Sequence, residues 1–201
     1  MPINDTIINM NKAVLVLGIF LLLSSCRTGA NINTSSEDQT NINARIFNDV
    51  EQAFHDADFW IPEEARQALG FSLFRLNGGT ATLSEYKGKA VILIFWIIQC
   101  PFCREEMPEL EKLHRMFKDR GLEIFAINRN EDGDTIKEFM NENGYTFPVM
   151  LDSDGSVSSA YRVSGVPAVF ILDKDGKIIA THAGTVLGNP NVIAAFEALL
   201  T

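Results

Sequence analysis

The chain has 201 residues, with 17 Lys and Arg against 26 Asp and Glu and a net charge of -9. That balance excludes a general nucleic-acid binder, which needs a cationic surface for phosphates. An apolar fraction of 46% and a charged fraction of 21% exclude disorder throughout, and the length suits one domain with extensions.

The first element is the apolar run Ala13 to Leu23, preceded by Lys12. At about 1.5 Å per residue it is too short to cross a hydrocarbon core about 30 Å thick, so it reads as the apolar region of a secretory signal. Leu23-Ser24-Ser25-Cys26 resembles the bacterial lipobox, in which a peptidase cleaves before the cysteine and that cysteine carries lipid. The expectation is a signal peptide over 1–25 and lipidation at Cys26; an unmodified cysteine in a signal-anchor is the alternative. Met10-Asn11-Lys12 leads straight into the apolar run, which makes Met10 a candidate initiator. Cleavage removes Asp5 and Lys12 together, so the acidity belongs to the exported part. Residues 26–43 after the cut are rich in Asn, Ser and Thr and have too few large apolar groups to offset the entropy of ordering. They are expected to form a tether.

From Ala44 the positions Ile46, Phe47, Val50, Ala53 and Phe54 recur at helical spacing, and Pro62 fits the start of a second short helix ending at Gly70. Residues 44–70 are therefore expected as a helical lead-in to a domain over 71–201. Phe71 to Leu76 and Thr80 to Leu83 alternate around Asn77-Gly78-Gly79, a hairpin. Ala90 to Trp96 is an unbroken apolar run that suits a strand covered on both faces. Leu110, Leu113 and Phe117 mark a helix, and Leu122 to Ile127 a second buried strand, so the pair forms a parallel crossover unit. Ile136, Phe139 and Met140 mark a helix, Phe147 to Leu151 an extended piece, and Ser156 to Tyr161 one or two helical turns. Ala168 to Leu172 and Lys177 to Ala180 flank the turn Asp173-Lys174-Asp175-Gly176, and Val192, Ile193, Phe196, Leu199 and Leu200 give a closing helix one apolar face. The order describes one α/β domain.

Cys100-Pro101-Phe102-Cys103 lies between the buried strand ending at Trp96 and the following helix. This spacing puts the first thiol at a helix N-terminus, where orphan N–H groups and the dipole favour a thiolate, and the second one turn inside, within reach of the first. Such a pair attacks disulfides and resolves the mixed intermediate. A structural zinc site needs four ligands, and beyond Cys26 only the scattered His55, His114 and His182 are at hand; haem attachment needs His where Arg104 stands. A structural disulfide closing so small a loop stabilises little.

Phe71-Ser72-Leu73, Leu83 to Lys89, Phe95-Trp96, Cys100 to Pro108 and Gly165 to Lys177 together resemble the thioredoxin-like disulfide reductases of the TlpA and ResA type. The resemblance covers about Phe71 to Gly184. It implies a thioredoxin-like three-layer αβα fold with a central mixed sheet and an N-terminal hairpin. It also implies a nucleophile at Cys100, a resolving thiol at Cys103, an active-site glutamate at Glu106 and a cis-proline at Pro167. Val166 and Pro167, with Gln99, Pro101 and Phe102 beside the thiols, are the implied substrate surface. Gln99 departs from the Trp usual before the first cysteine, which bears on substrate preference. The alternative for Glu106 is a solvated residue of the charged triplet Arg104-Glu105-Glu106.

The resulting expectation is a lipid-anchored thiol-disulfide oxidoreductase of the bacterial cell envelope, facing the periplasm or the exterior. It reduces protein disulfides, as in cytochrome c maturation, and its redox-active centre is the Cys100–Cys103 disulfide with no metal or other cofactor. A reductant in an oxidising compartment needs a membrane thiol-relay donor. A peroxiredoxin is one alternative, although Ile97 stands where that class has Thr or Ser, and a Cu(I) chaperone is another, since paired thiolates suit Cu(I). His114 is expected to be exposed, and His182 to be an ordinary hydrogen-bonding residue. Asp132, Asp134, Asp152 and Asp154 are expected in turns and caps, since their spacing is not that of an EF-hand.

Overall fold

A computed structural model describes residues 48–201. The expected signal peptide, Cys26, the tether and the first residues of the lead-in lie outside the described residues. Helix α1 (48–56) is followed by β1 (Arg66–Gln67), β2 (Ser72–Arg75), β3 (Thr80–Thr82), β4 (Ala90–Trp96) and α2 (Pro101–Phe117). Then come β5 (Leu122–Arg129), α3 (Gly133–Asn143), β6 (Val149–Asp152), α4 (Ser156–Ala160), β7 (Ala168–Leu172), β8 (Lys177–Ala183) and α5 (Val192–Leu200).

The strands form one sheet in the order β1-β8-β7-β4-β5-β6-β2-β3, parallel at β4–β5 and β5–β6 and antiparallel elsewhere. β4 is central, and its unbroken run is explained by burial on both faces. Ala90, Ile92, Ile94 and Trp96 pack toward α1, α2, α3 and α5, whereas Val91, Leu93 and Phe95 face Val157 and Tyr161 around α4. This is the three-layer mixed-sheet fold expected from the sequence.

One expected element is replaced. Residues 62–70 form no helix; Arg66–Gln67 pairs with Ile178 and Lys177 as an antiparallel edge strand, and Trp60 bridges Thr181. The segment has few apolar residues with which to build a helical face, while β8 offers an open edge of unpaired backbone groups. The Gln67 side chain joins in, donating to the Gly176 carbonyl at 2.8 Å. Helix α1 belongs to the same core: Phe54 stands edge-on to Phe59 at 5.3 Å and to Phe196 at 5.4 Å.

Candidate functional site

β4 ends at Trp96, and the chain turns through Ile97, Ile98 and Gln99 to Cys100, the N-cap of α2, with Pro101 opening the helix. Pro suits that position because its missing N–H would have no partner there. Glu131, at the end of β5, fixes the turn by accepting from the Ile98 amide at 2.8 Å and from Asn128 at 2.7 Å. Sequence reasoning missed Glu131. Its signal was its place just beyond a parallel strand's C-terminal end, where such sheets gather their ligand groups.

The thiols are free and unlike. Cys100 is half-buried and its Sγ donates to the Val166 carbonyl at 3.4 Å. Cys103 is fully buried. Burial pushes its pKa up to about 12, the neighbouring Cys100 and the charge of Glu106 push the same way, and the backbone at Ile97 opposes them. The Val166–Pro167 bond is cis, as the resemblance implied, and Gly184 donates to the Pro167 carbonyl at 2.9 Å, tying that loop to β8. Gln99, Pro101 and Phe102 are exposed beside the pair, Phe102 by 60%.

Glu106 is 2% exposed, which rules out the solvated alternative. One carboxylate oxygen accepts from Val186 at 2.9 Å and Leu187 at 3.2 Å, and the other from Leu187 at 3.0 Å. Burial raises its pKa above the usual carboxylate value, the amides of Leu187 and Val186 oppose this, and the charges of Glu109 and Glu105 add to it. It lies three residues past Cys103, on the same face of α2.

His182 hydrogen-bonds the Asp58 carbonyl through Nδ1 at 2.9 Å. His114 is half-buried rather than exposed; the lost hydration lowers its pKa, with Glu111, Lys118 and Glu123 close enough to act on it. Asp132 caps α3 through the Thr135 amide at 3.1 Å, Asp152 is buried and accepts from the Val157 and Ser158 amides at the start of α4, and Asp154 accepts from Ser156.

A dithiol at the N-terminus of a helix on a thioredoxin-like sheet, opposite a cis-proline, defines the chain as a thiol-disulfide oxidoreductase. It belongs to the AhpC/TSA family, whose model matches residues 65–181. It is 37% identical over 128 residues to the thiol-disulfide oxidoreductase ResA of Halalkalibacterium halodurans, covering 64% of this chain and 73% of that one. To the ResA of Bacillus subtilis it is 38% identical over 122 residues, covering 61% and 68%. Among solved structures it is similar to a putative thiol:disulfide interchange protein DsbE from Chlorobium tepidum, with a TM-score of 0.64 and 26% identity, covering 69% of this chain and 99% of that one.

Proposed function

We propose that the protein reduces protein disulfides outside the cytoplasm while tethered to the membrane through lipid on Cys26. The observation that carries the reductase reading is the asymmetry of the pair: Cys100 at the open end of α2, Cys103 enclosed and held as a thiol.

Cys100, as thiolate, attacks one sulfur of the substrate disulfide while the substrate chain lies along Val166 and Pro167, beside Gln99, Pro101 and Phe102. The substrate S–S bond breaks, and the departing sulfur takes a proton from solvent, to which Cys100 gave up its own. Glu106 then removes the Cys103 proton, and the Cys103 thiolate attacks Cys100. The mixed disulfide breaks, and the second substrate sulfur leaves with the proton that Glu106 returns. The substrate gains two thiols and the pair becomes a disulfide, which a membrane thiol-relay protein restores to the dithiol with two electrons. A carboxyl with a raised pKa suits this proton exchange, because it accepts and releases a proton nearer the working pH.

Trapping tests the reading. Cys103→Ser should stall at a mixed disulfide on Cys100, and mass spectrometry should find a protein thiol partner there. If no mixed disulfide accumulates, or if the parent fails to reduce insulin or glutathione disulfide, the reductase reading is wrong. Fatty-acid labelling lost in Cys26→Ala supports the tether; label retained in that variant refutes it.

A further inference from the structure

An open groove runs along the β7–β8 margin of the sheet, starting at the cis-proline loop. A cavity of about 310 Å³ there is lined by Val166, Pro167, Arg162, Phe170 and Thr181. A second cavity of about 800 Å³ shares Arg162, Phe170 and Thr181 and extends to Trp60.

Strand register explains its floor. Leu93 pairs with Phe170, Phe170 with Thr181, and Thr181 with Trp60, so these side chains stand in one row on one face of the sheet. Their cover thins along the row. Leu93 is fully buried, Phe170 is half-buried under Tyr161 at 5.4 Å, and Trp60 is 63% exposed. Trp60 is nonetheless anchored, since its amide and carbonyl both bond Thr181, at 2.8 and 2.9 Å. A large aromatic on an anchored backbone, exposed to water at the end of this row, is poised to gain free energy by being covered. At its other end the groove meets Val166, whose carbonyl accepts from Cys100.

We propose that this groove binds the extended segment flanking the reactive cysteine of the disulfide partner, with an apolar, preferably aromatic, side chain seated on Trp60 and Phe170. The inference rests on the reductase reading and names its substrate class. Val166 to Phe170 spans about 13 Å of extended chain, so the seated side chain lies about three to five residues from the partner's cysteine. Arg162, exposed at the junction of the two cavities, forms no ion pair among the described residues and faces the segment with a free guanidinium. Glu63 and Glu64 on the far rim disfavour an acidic residue at that end.

The test compares Trp60→Ala and Trp60→Phe with the parent. The substrates are disulfide peptides carrying Phe at successive positions from the cysteine, the same peptide with Ser throughout, and hydroxyethyl disulfide. For the parent, kcat/KM should peak with Phe three to five residues away. Trp60→Ala should lower that peak about tenfold through KM, leave the Ser peptide and hydroxyethyl disulfide unchanged, and be rescued in part by Trp60→Phe. An equal loss on all substrates, no loss on any, or a change in oligomeric state in place of the KM effect would overturn the groove. A binding measurement separates this from failure of the reductase reading. In Cys100→Ser/Cys103→Ser, the Phe peptide with Ser for its cysteine should shift the fluorescence of Trp60, whose only fellow tryptophan, Trp96, is fully buried. No shift overturns the groove, whereas a shift without turnover by the parent overturns only the reductase.

Discussion

Helix α2 carries two buried glutamates five residues apart, Glu106 and Glu111, and their surroundings drive them in opposite directions. Burial alone would raise both. At Glu111 it is outweighed by donors: the Thr146 amide at 2.7 Å, the Thr146 hydroxyl at 2.7 Å, Arg115 at 2.6 Å and the Phe147 amide at 3.2 Å, which hold its pKa below the usual carboxylate value. Among the described residues Glu106 receives only the two backbone amides of Val186 and Leu187 and no cation, and its pKa stays raised. Donors that favour the charged form hold Glu111 as a carboxylate, whereas at Glu106 burial outweighs them and favours the neutral form more than usual. Glu111 ties α2 to the approach to β6; Glu106 ties α2 to the loop before α5, and its charge acts on the buried Cys103 thiol.

The largest expected effect is on stability at the pinning residue. Glu111→Ala leaves the Thr146 and Phe147 amides without their acceptor and should cost about 3 kcal/mol in urea denaturation, with activity per folded molecule unchanged. A cost below about 1 kcal/mol would erase the contrast. Next, Glu106→Gln should slow exchange about tenfold at neutral pH and remove from the pH–rate profile the limb that belongs to the Glu106 carboxyl. A profile that overlays the parent's would leave Glu106 with only its structural bonds.

The two carboxyls also act oppositely on stability as pH changes, each relative to an ordinary value of 4.5 in the unfolded chain. Glu106, with its folded pKa raised, binds more protons folded than unfolded in the window above that value, so its contribution improves as pH falls through the window. Glu111, with its folded pKa lowered, stabilises above the ordinary value and loses that contribution as pH falls toward its depressed folded value. Denaturation midpoints of Glu106→Gln should therefore lack the parent's gain on mild acidification, while Glu111→Gln should soften the parent's loss in stronger acid. The smallest effect is at Arg115, whose side chain is 63% exposed; Arg115→Gln should cost about 0.5 kcal/mol.

Legibility in the sequence followed locality. β4, β5 and β7 could be read from their apolar runs because a strand buried on both faces needs nothing but apolar residues. β1 could not, because Arg66 and Gln67 are strand only by pairing with an edge more than a hundred residues away. At the site, the cysteine spacing and Gly165-Val166-Pro167 carried the thiols and the cis-proline through resemblance. The burial of Glu106 was hidden: Arg104-Glu105-Glu106 reads as a solvated face, and the amides that hold its carboxylate lie 80 and 81 residues downstream. The groove ending at Trp60 was equally hidden, since its floor exists only in the register of β7, β8 and the bridge beyond.

The central claim is that one thiol of the pair is open to attack partners while the other is buried and protonated at rest. Reduced protein should be alkylated with a small excess of iodoacetamide over a series of pH values, and each cysteine's modification read by peptide mass spectrometry. The account expects Cys100 to be modified while Cys103 stays unlabelled through neutral and mildly alkaline pH, as a thiol pushed up to about 12 should be. Comparable labelling of Cys100 and Cys103 at neutral pH would contradict it.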